Sequence, residues 1–122
     1  MKKNLIAAAI GLAACGFVSA VSAGDFAHMT GKWGWEGFTI EVVEADPNGI
    51  SATVVDGPKN VGMEMIQSPL QPKDDAMVGR VKHPANGEVY NSKMSMPDPD
   101  TWQMDGCTDG GACASGTFKR IK

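Results

Sequence analysis

Residues 77–96, MVGRVKHPANGEVYNSKMSM, decide the fold, because two runs of alternating apolar and polar residues flank a compact turn. The turn is His83-Pro84-Ala85-Asn86-Gly87. Pro84 fixes φ for the first central position of a type I turn, and Asn86-Gly87 tolerates positive φ. Successive side chains point to opposite faces of a strand, so one face of the second run carries Tyr90, Ser92, Met94 and Met96. The stretch therefore predicts an antiparallel hairpin.

The first 23 residues have the pattern of a secretory leader. Lys2 and Lys3 precede the apolar, uncharged run 5–18, and Val21-Ser22-Ala23 is a small-x-small cleavage signal. We expect cleavage after Ala23, which leaves residues 24–122 as a single domain in the periplasm or outside the cell. A mature chain of this length is sufficient for one domain with one modest core.

A lipoprotein leader is the alternative at this end of the chain. Cys15 follows the small residues Ala13 and Ala14, as lipid attachment requires. The residues after Cys15 stay apolar through Val21, which favours cleavage after Ala23 instead. The apolar run is shorter than the roughly 20 residues that a spanning helix needs, so we expect no stable insertion in a membrane.

The charge of the mature chain argues against nucleic acid as a partner. Without Lys2 and Lys3, the 11 basic residues fall to 9 against 14 acidic ones, which gives a formal net charge of −5. The sequence has no basic cluster that would offset this balance, and phosphate backbones and anionic membranes attract positive charge.

The two cysteines of the mature chain predict a disulfide. Cys107 and Cys113 flank five polar and small residues, and an even cysteine number is typical of exported domains. The chain-entropy estimate for so short a loop is about 2 to 2.5 kcal/mol, so the bridge would stabilise a turn rather than the whole domain. A redox or metal pair is the alternative, but the spacing differs from the Cys-x-x-Cys of those sites.

The rest of the mature chain reads as short strands. A short polar segment follows Gly24. The pattern predicts a strand at residues 61–65 and a surface loop with two prolines at residues 68–75. About eight short strands with frequent turns predict an all-β domain. A meander of eight strands loses its exposed edges by closing into a β-barrel, whose interior is barely wide enough for side chains or one small ligand. An open two-sheet sandwich is the alternative architecture.

The order of several short motifs resembles a known family of exported proteins. These motifs are Gly31-Lys32-Trp33, then Gly79, Pro84, Asn86, Gly87 and Tyr90, then Gly106, and finally Gly116, Phe118 and Arg120. In this order and spacing the chain resembles the small exported bacterial proteins of domain-of-unknown-function family 2147. The resemblance spans most of residues 31–120.

The resemblance implies a lipocalin-like β-barrel, in agreement with the strand count. It implies no catalytic residues. In a lipocalin-like fold, a Trp of the first strand and an Arg of the last strand form a structural latch. Trp33 and Arg120 are the corresponding residues here, with the cation lying over the aromatic face.

Methionine is unusually frequent, with seven of the eight methionines in the mature chain. Flexible thioethers fill irregular interiors and line apolar cavities, and they also bind Cu(I). A copper site would want a nearby His or Cys, which the sequence does not place beside the Met63-x-Met65 and Met94-x-Met96 pairs. We therefore predict no metal and no cofactor, and a cavity for a small apolar or amphipathic ligand lined by Met63, Met65, Tyr90, Met94, Met96 and Trp102. A Met-based Cu(I) carrier is the third functional hypothesis.

Acidic residues cluster at Asp74-Asp75, at Asp98-Pro99-Asp100 and between Asp105 and Asp109. None of these clusters has the ligand spacing of an EF-hand, so solvated turns are the simpler interpretation. No motif of general acid–base or nucleophilic catalysis is present, and we expect a non-enzymatic protein. The second functional hypothesis is a barrel filled by its own side chains that acts as an envelope interaction module through residues 68–75 and the cysteine loop. The sequence leaves a protein partner unidentified.

Overall fold

The computed structural model describes residues 23–122. The predicted leader, with Cys15, lies outside the described residues except for Ala23. Within them the chain forms one short helix and eight strands. These elements are α1 (Ala23–Met29), β1 (Gly31–Trp35), β2 (Phe38–Ala45), β3 (Gly49–Asp56), β4 (Gln71–Lys73), β5 (Ala76–Lys82), β6 (Val89–Asp98), β7 (Thr101–Cys107) and β8 (Cys113–Arg120).

All eight strands belong to one antiparallel sheet in the order β3-β2-β1-β8-β7-β6-β5-β4. The first strand pairs with the last, with Trp33 opposite Arg120, so β3 and β4 become the two edges. The sheet curls through 223° into a half-barrel, an arrangement that fits a lipocalin-like β-barrel. The prediction of an all-β antiparallel meander is confirmed, and the single sheet excludes the two-sheet sandwich.

The hairpin predicted at residues 77–96 is present as β5 and β6. The His83 amide donates to the Glu88 carbonyl at 2.8 Å, and Gly87 has φ +74°. Counted from the His83–Glu88 pair, the register of the two strands places Met77 opposite Met94. Along β6, Tyr90, Ser92 and Met94 are buried while the residues between them are exposed. The turn therefore sets which face of the hairpin enters the core.

Residues 62–67 span the gap between the curled sheet's two sides. The Met65 amide donates to the Ala52 carbonyl of β3 at 2.8 Å, and the Lys82 amide of β5 donates to the Met65 carbonyl at 2.7 Å. The Glu64 carboxylate adds bonds from the Ala52 amide at 2.8 Å and the Ile66 amide at 2.9 Å. This segment satisfies backbone groups of β3 that would otherwise form an open edge.

Two local predictions are wrong in this region. Residues 61–65, predicted as a strand, form only an isolated bridge between Thr53 and Glu64. Asn60 and Gly62 have φ of 60° and 96°, and this left-handed backbone does not fit a regular strand. The predicted loop at 68–75 instead contains β4, whose three residues are all exposed.

A filled core occupies the concave side of the sheet. Trp33 and Trp102 are fully buried, with ring centroids 5.8 Å apart and planes at 75°. Met65 and Met94 are 0% and 2% exposed and belong to the same cluster, so the predicted common interior exists. Within the described residues, the Trp102 indole N–H is the buried side-chain donor without a hydrogen-bond partner.

Candidate functional site

The half-barrel has a cavity at each end, and the two differ greatly in size. The smaller, the turn-end pocket, has a volume of about 40 Å³ and is lined by Trp35, Met65, Val81, His83, Pro84, Tyr90, Ser92, Met104, Asp105, Gly106, Ala114, Ser115, Gly116 and Phe118. The larger, the helix-end cleft, has a volume of about 820 Å³ and is lined by His28, Met29, Asp75, Ala76, Met77, Met94, Ser95, Met96, Pro97, Asp98, Pro99 and Arg120.

Aromatic side chains fill most of the turn end. Trp35 stacks on Phe118 with centroids 5.5 Å apart and meets the His83 ring edge-on at 5.2 Å. Burial lowers the pKa of His83, and the Glu88 carboxylate opposes this shift only in part. A water molecule needs about 10–15 Å³ of such space, so this pocket holds a few waters at most and no organic ligand.

The cysteine loop closes the same end of the sheet. Cys107 and Cys113 form the predicted disulfide and lie directly opposite each other in β7 and β8. The loop docks on β5 and β6 through Asp109, which accepts from Asn91 Nδ2 at 2.8 Å and lies 3.5 Å from Arg80 Nη1. The Asn91 hydrogen bond, with the Arg80 guanidinium, lowers the pKa of Asp109.

At the opposite end, α1 packs against the turn between β2 and β3. Met29 is 3% exposed, and its carbonyl accepts a bond from Trp33 Nε1 at 2.8 Å. Phe26 lies against Gly49, whose φ of +103° lets the chain turn tightly beneath the ring. The helix therefore covers one side of the opening and leaves the cleft between itself and β5 and β6.

Arg120 ties three elements together beside the cleft. Its guanidinium lies 4.4 Å from the Trp33 ring centroid, the contact that the resemblance implied. It donates to the carbonyls of His28 and Thr30, each at 2.7 Å, and of Pro99 at 2.9 Å. Its Nε is 3.3 Å from an Asp100 oxygen. With most of its N–H donors bonded in this way, Arg120 mainly holds the elements around the cleft together.

Asp98 brings a carboxylate to the rim of the cleft. It accepts from the Asp100 amide at 2.9 Å and from the Thr101 hydroxyl at 2.9 Å. The Asp100 amide bond, followed by the Thr101 bond, lowers the pKa of Asp98 below its ordinary value of 3.8. Asp75 adds a second, exposed carboxylate from the other side. Within residues 23–122, no group of three or more His, Cys, Asp or Glu is placed to hold a metal ion.

The structure divides the six residues predicted to line one cavity. Met65 and Tyr90 line the turn-end pocket, whereas Met94 and Met96 line the helix-end cleft. Met63 and Trp102 line neither of these two cavities, because Trp102 is sealed in the core and Met63 packs half-buried at its edge. The six residues therefore do not line one cavity, as predicted, because a filled core separates the turn-end pocket from the helix-end cleft.

Of the twelve residues that line the helix-end cleft, the sequence assigned only Met94 and Met96 to a cavity, and it missed Met77, His28 and Met29 among others. Met77 could have been found from the hairpin register, because counting from the His83–Glu88 pair places it opposite Met94. His28 and Met29 could not, because α1 has only seven residues and shows no usable periodicity.

The fold and site define the class of this protein as an all-β half-barrel with a filled core. One end carries a disulfide, and the other, which a short helix covers in part, has a cleft large enough for a small molecule. Comparison with family models, with curated proteins and with solved structures finds no match to this chain. In the part of the chain that the structure describes, no helix combines the length and apolar character needed to cross a membrane.

Proposed function

We propose that this chain is an exported, non-enzymatic β-barrel protein that binds a small apolar or amphipathic molecule in the helix-end cleft. The observation that carries the proposal is the cleft itself, whose volume of about 820 Å³ lies within the range of roughly 300–1,000 Å³ typical of small-molecule sites. Periplasmic or secreted localisation after cleavage behind Ala23, and membership of family 2147, are parts of the same proposal, which the disulfide and the lipocalin-like fold support.

The lining indicates how such a molecule would lie. Methionine side chains from α1, β5 and β6 form the floor, and adaptable thioethers suit an irregular apolar ligand. Asp75 and Asp98 lie at the rim, and most of the N–H donors of Arg120 are occupied by carbonyls. An amphipathic ligand would therefore place its apolar part on the methionines and a hydrogen-bond donor toward the carboxylates.

Native mass spectrometry of the protein purified from its own exported compartment tests this proposal. We expect a bound small molecule in the wild type and in Lys93→Trp, which changes an exposed residue of β6. Met96→Trp places an indole in the cleft and should release the molecule. The fluorescent probe N-phenyl-1-naphthylamine should bind saturably with the same ranking of variants. A bare polypeptide together with no saturable probe binding would contradict the proposal, as would equal binding by both variants.

The second candidate function is an interaction module that acts through loops. The filled core favours it, because Trp33, Trp102 and Ile40 are each 0% exposed and pack the centre of the half-barrel. In this case, a photo-cross-linker at exposed Gly110 should trap one defined protein in intact cells, and one at exposed Lys59 should not. Equal labelling from both positions would reject the module hypothesis.

A further inference from the structure

We propose that the helix-end cleft binds a soft monovalent metal ion, Cu(I) or its analogue Ag(I), through methionine thioethers assisted by His28. This inference does not depend on the apolar-ligand proposal, because it concerns sulfur and imidazole donors rather than cleft volume. Four of the seven methionines of residues 23–122 line this one cleft, and they come from α1, β5 and β6.

The structure changes which methionines can act together. Of the two Met-x-Met pairs, Met63 and Met65 do not act together in this cleft, because Met65 is fully buried in the core and Met63 lies outside the cleft. Met77 and Met94 instead lie directly opposite each other in β5 and β6. Directly opposite Cβ atoms are about 4.5–5.5 Å apart, which is within reach of two flexible thioethers converging on one ion.

Two further side chains complete a donor set of the right kind. Met96 follows Met94 along β6 and is partly exposed, whereas His28 is exposed on α1 beside Met29. Methionines often only fill cores, and that role is sufficient to explain Met29, Met77 and Met94. It does not explain the partly exposed Met96 and the exposed His28 on the same cleft, which are the donor residues that an incoming ion would meet first.

The chemistry of the donors selects the metal. Thioethers are soft, neutral ligands that favour Cu(I), whereas Zn²⁺ and Cu(II) prefer imidazole, thiolate and carboxylate. The thiols of Cys107 and Cys113 are consumed in the disulfide at the opposite end. The charge around the cleft also favours a cation, because Asp75 and Asp98 line it and the positive charge of Arg120 faces Asp100 at 3.3 Å.

Ag(I) is the sharper probe, because it needs no reductant and leaves the disulfide intact. In a chloride-free buffer, titration of the full mature chain should show saturable binding of one equivalent. With methionine methyl groups labelled with ¹³C, the signals of Met29, Met77, Met94 and Met96 should shift, and those of Met63, Met65 and Met104 should not. Shifts restricted to the second set, or no saturable binding at micromolar Ag(I), would overturn the proposal.

Matched variants separate the metal site from the packing of the core. Met94→Leu combined with Met96→Leu keeps side-chain volume but removes two donors, so Ag(I) affinity should fall about tenfold or more, and His28→Ala should also weaken binding. The control, Met63→Leu with Met104→Leu, should bind like the wild type. Equal affinity in both double variants would mean adventitious metal binding only. The wild type and the Met63→Leu with Met104→Leu control should bind N-phenyl-1-naphthylamine whether or not Ag(I) binds, so failure of this inference and failure of the apolar-ligand proposal are distinguishable.

Discussion

Gly106 lies where β6 and β7 approach closely, and this contact requires the absence of a side chain. A Cβ at this position would lie 2.7 Å from the Asn91 carbonyl oxygen and 3.0 Å from Ser92 Cα. Because backbone atoms cannot rotate away, Gly106→Ala should lower the free energy of unfolding by about 1–3 kcal/mol, a typical cost of overpacking. Urea denaturation measures this difference.

Gly34→Ala in β1 is the matched control for Gly106→Ala. A Cβ there would lie 3.6 Å from the Ile121 side chain and 3.9 Å from the Lys119 carbonyl oxygen, which are both ordinary contacts. We expect its stability to remain within about 0.5 kcal/mol of the wild type. If both alanine variants unfold at the same urea concentration, the close approach of β6 and β7 does not limit stability.

Asp98 should make stability depend on pH in the acid range. Its folded-state pKa is lowered, first by the Asp100 amide and then by the Thr101 hydroxyl, from an ordinary value of 3.8. A carboxyl with a depressed pKa contributes stability that is complete above the ordinary value and is lost as pH falls through the folded value. Asp98→Asn should therefore be less stable than the wild type at pH 7, and the gap should narrow below about pH 4.

Urea unfolding of Asp98→Asn across pH 2–7, beside the wild type, measures that narrowing. Glu44→Gln, which changes an exposed carboxyl of β2, controls for the general effect of removing one negative charge. A gap between Asp98→Asn and wild type that stays constant across the whole range would show that the carboxyl acts only as a hydrogen-bond acceptor.

At the scale of elements, α1 depends on Arg120 because a seven-residue helix is too short to be stable by itself. Removing the guanidinium with Arg120→Met would leave the carbonyls of His28, Thr30 and Pro99 without their donor. We expect a loss of about 2–4 kcal/mol and faster amide exchange in residues 26–30. Arg120→Lys should recover little of this, because an ammonium lacks the planar fork that reaches several carbonyls together.

Lys122→Met tests whether charge alone accounts for the effect of Arg120→Met. Lys122 also pairs with Asp100, at 2.7 Å, but the two side chains are 68% and 45% exposed. Exposed ion pairs contribute about 0–1 kcal/mol, so this variant should keep α1 protected from exchange. Equal loss of protection in the Lys122 and Arg120 variants would contradict the role given to the carbonyl contacts.

For the whole molecule, local turn chemistry was enough to predict the meander but not the site. Pro84, Asn86 and Gly87 fixed the central hairpin and its register, and the eight-stranded half-barrel follows from hairpins joined in sequence. The strand predicted at 61–65 failed because alternation does not report the left-handed backbone of Asn60 and Gly62. The cleft lies between β5 and β6 and α1, which packs on the β2–β3 turn, and this long-range arrangement leaves no local pattern in the sequence.

Closure of the half-barrel depends on Glu64, since its carboxylate holds residues 62–67 to β3 through the Ser51 hydroxyl and the amides of Ala52 and Ile66. Hydrogen bonds to a charged group contribute about 1.5–3 kcal/mol, so Glu64→Ala should lose at least this amount. Because the Met65 backbone bonds to both β3 and β5, the same variant should speed exchange of the Met65 and Lys82 amides together. Hydrogen exchange followed by NMR measures this coupling, with Glu44→Ala as the exposed control. If the Met65 amide exchanges faster and the Lys82 amide does not, residues 62–67 hold β3 and β5 independently. The two sides of the half-barrel are then not coupled through this segment.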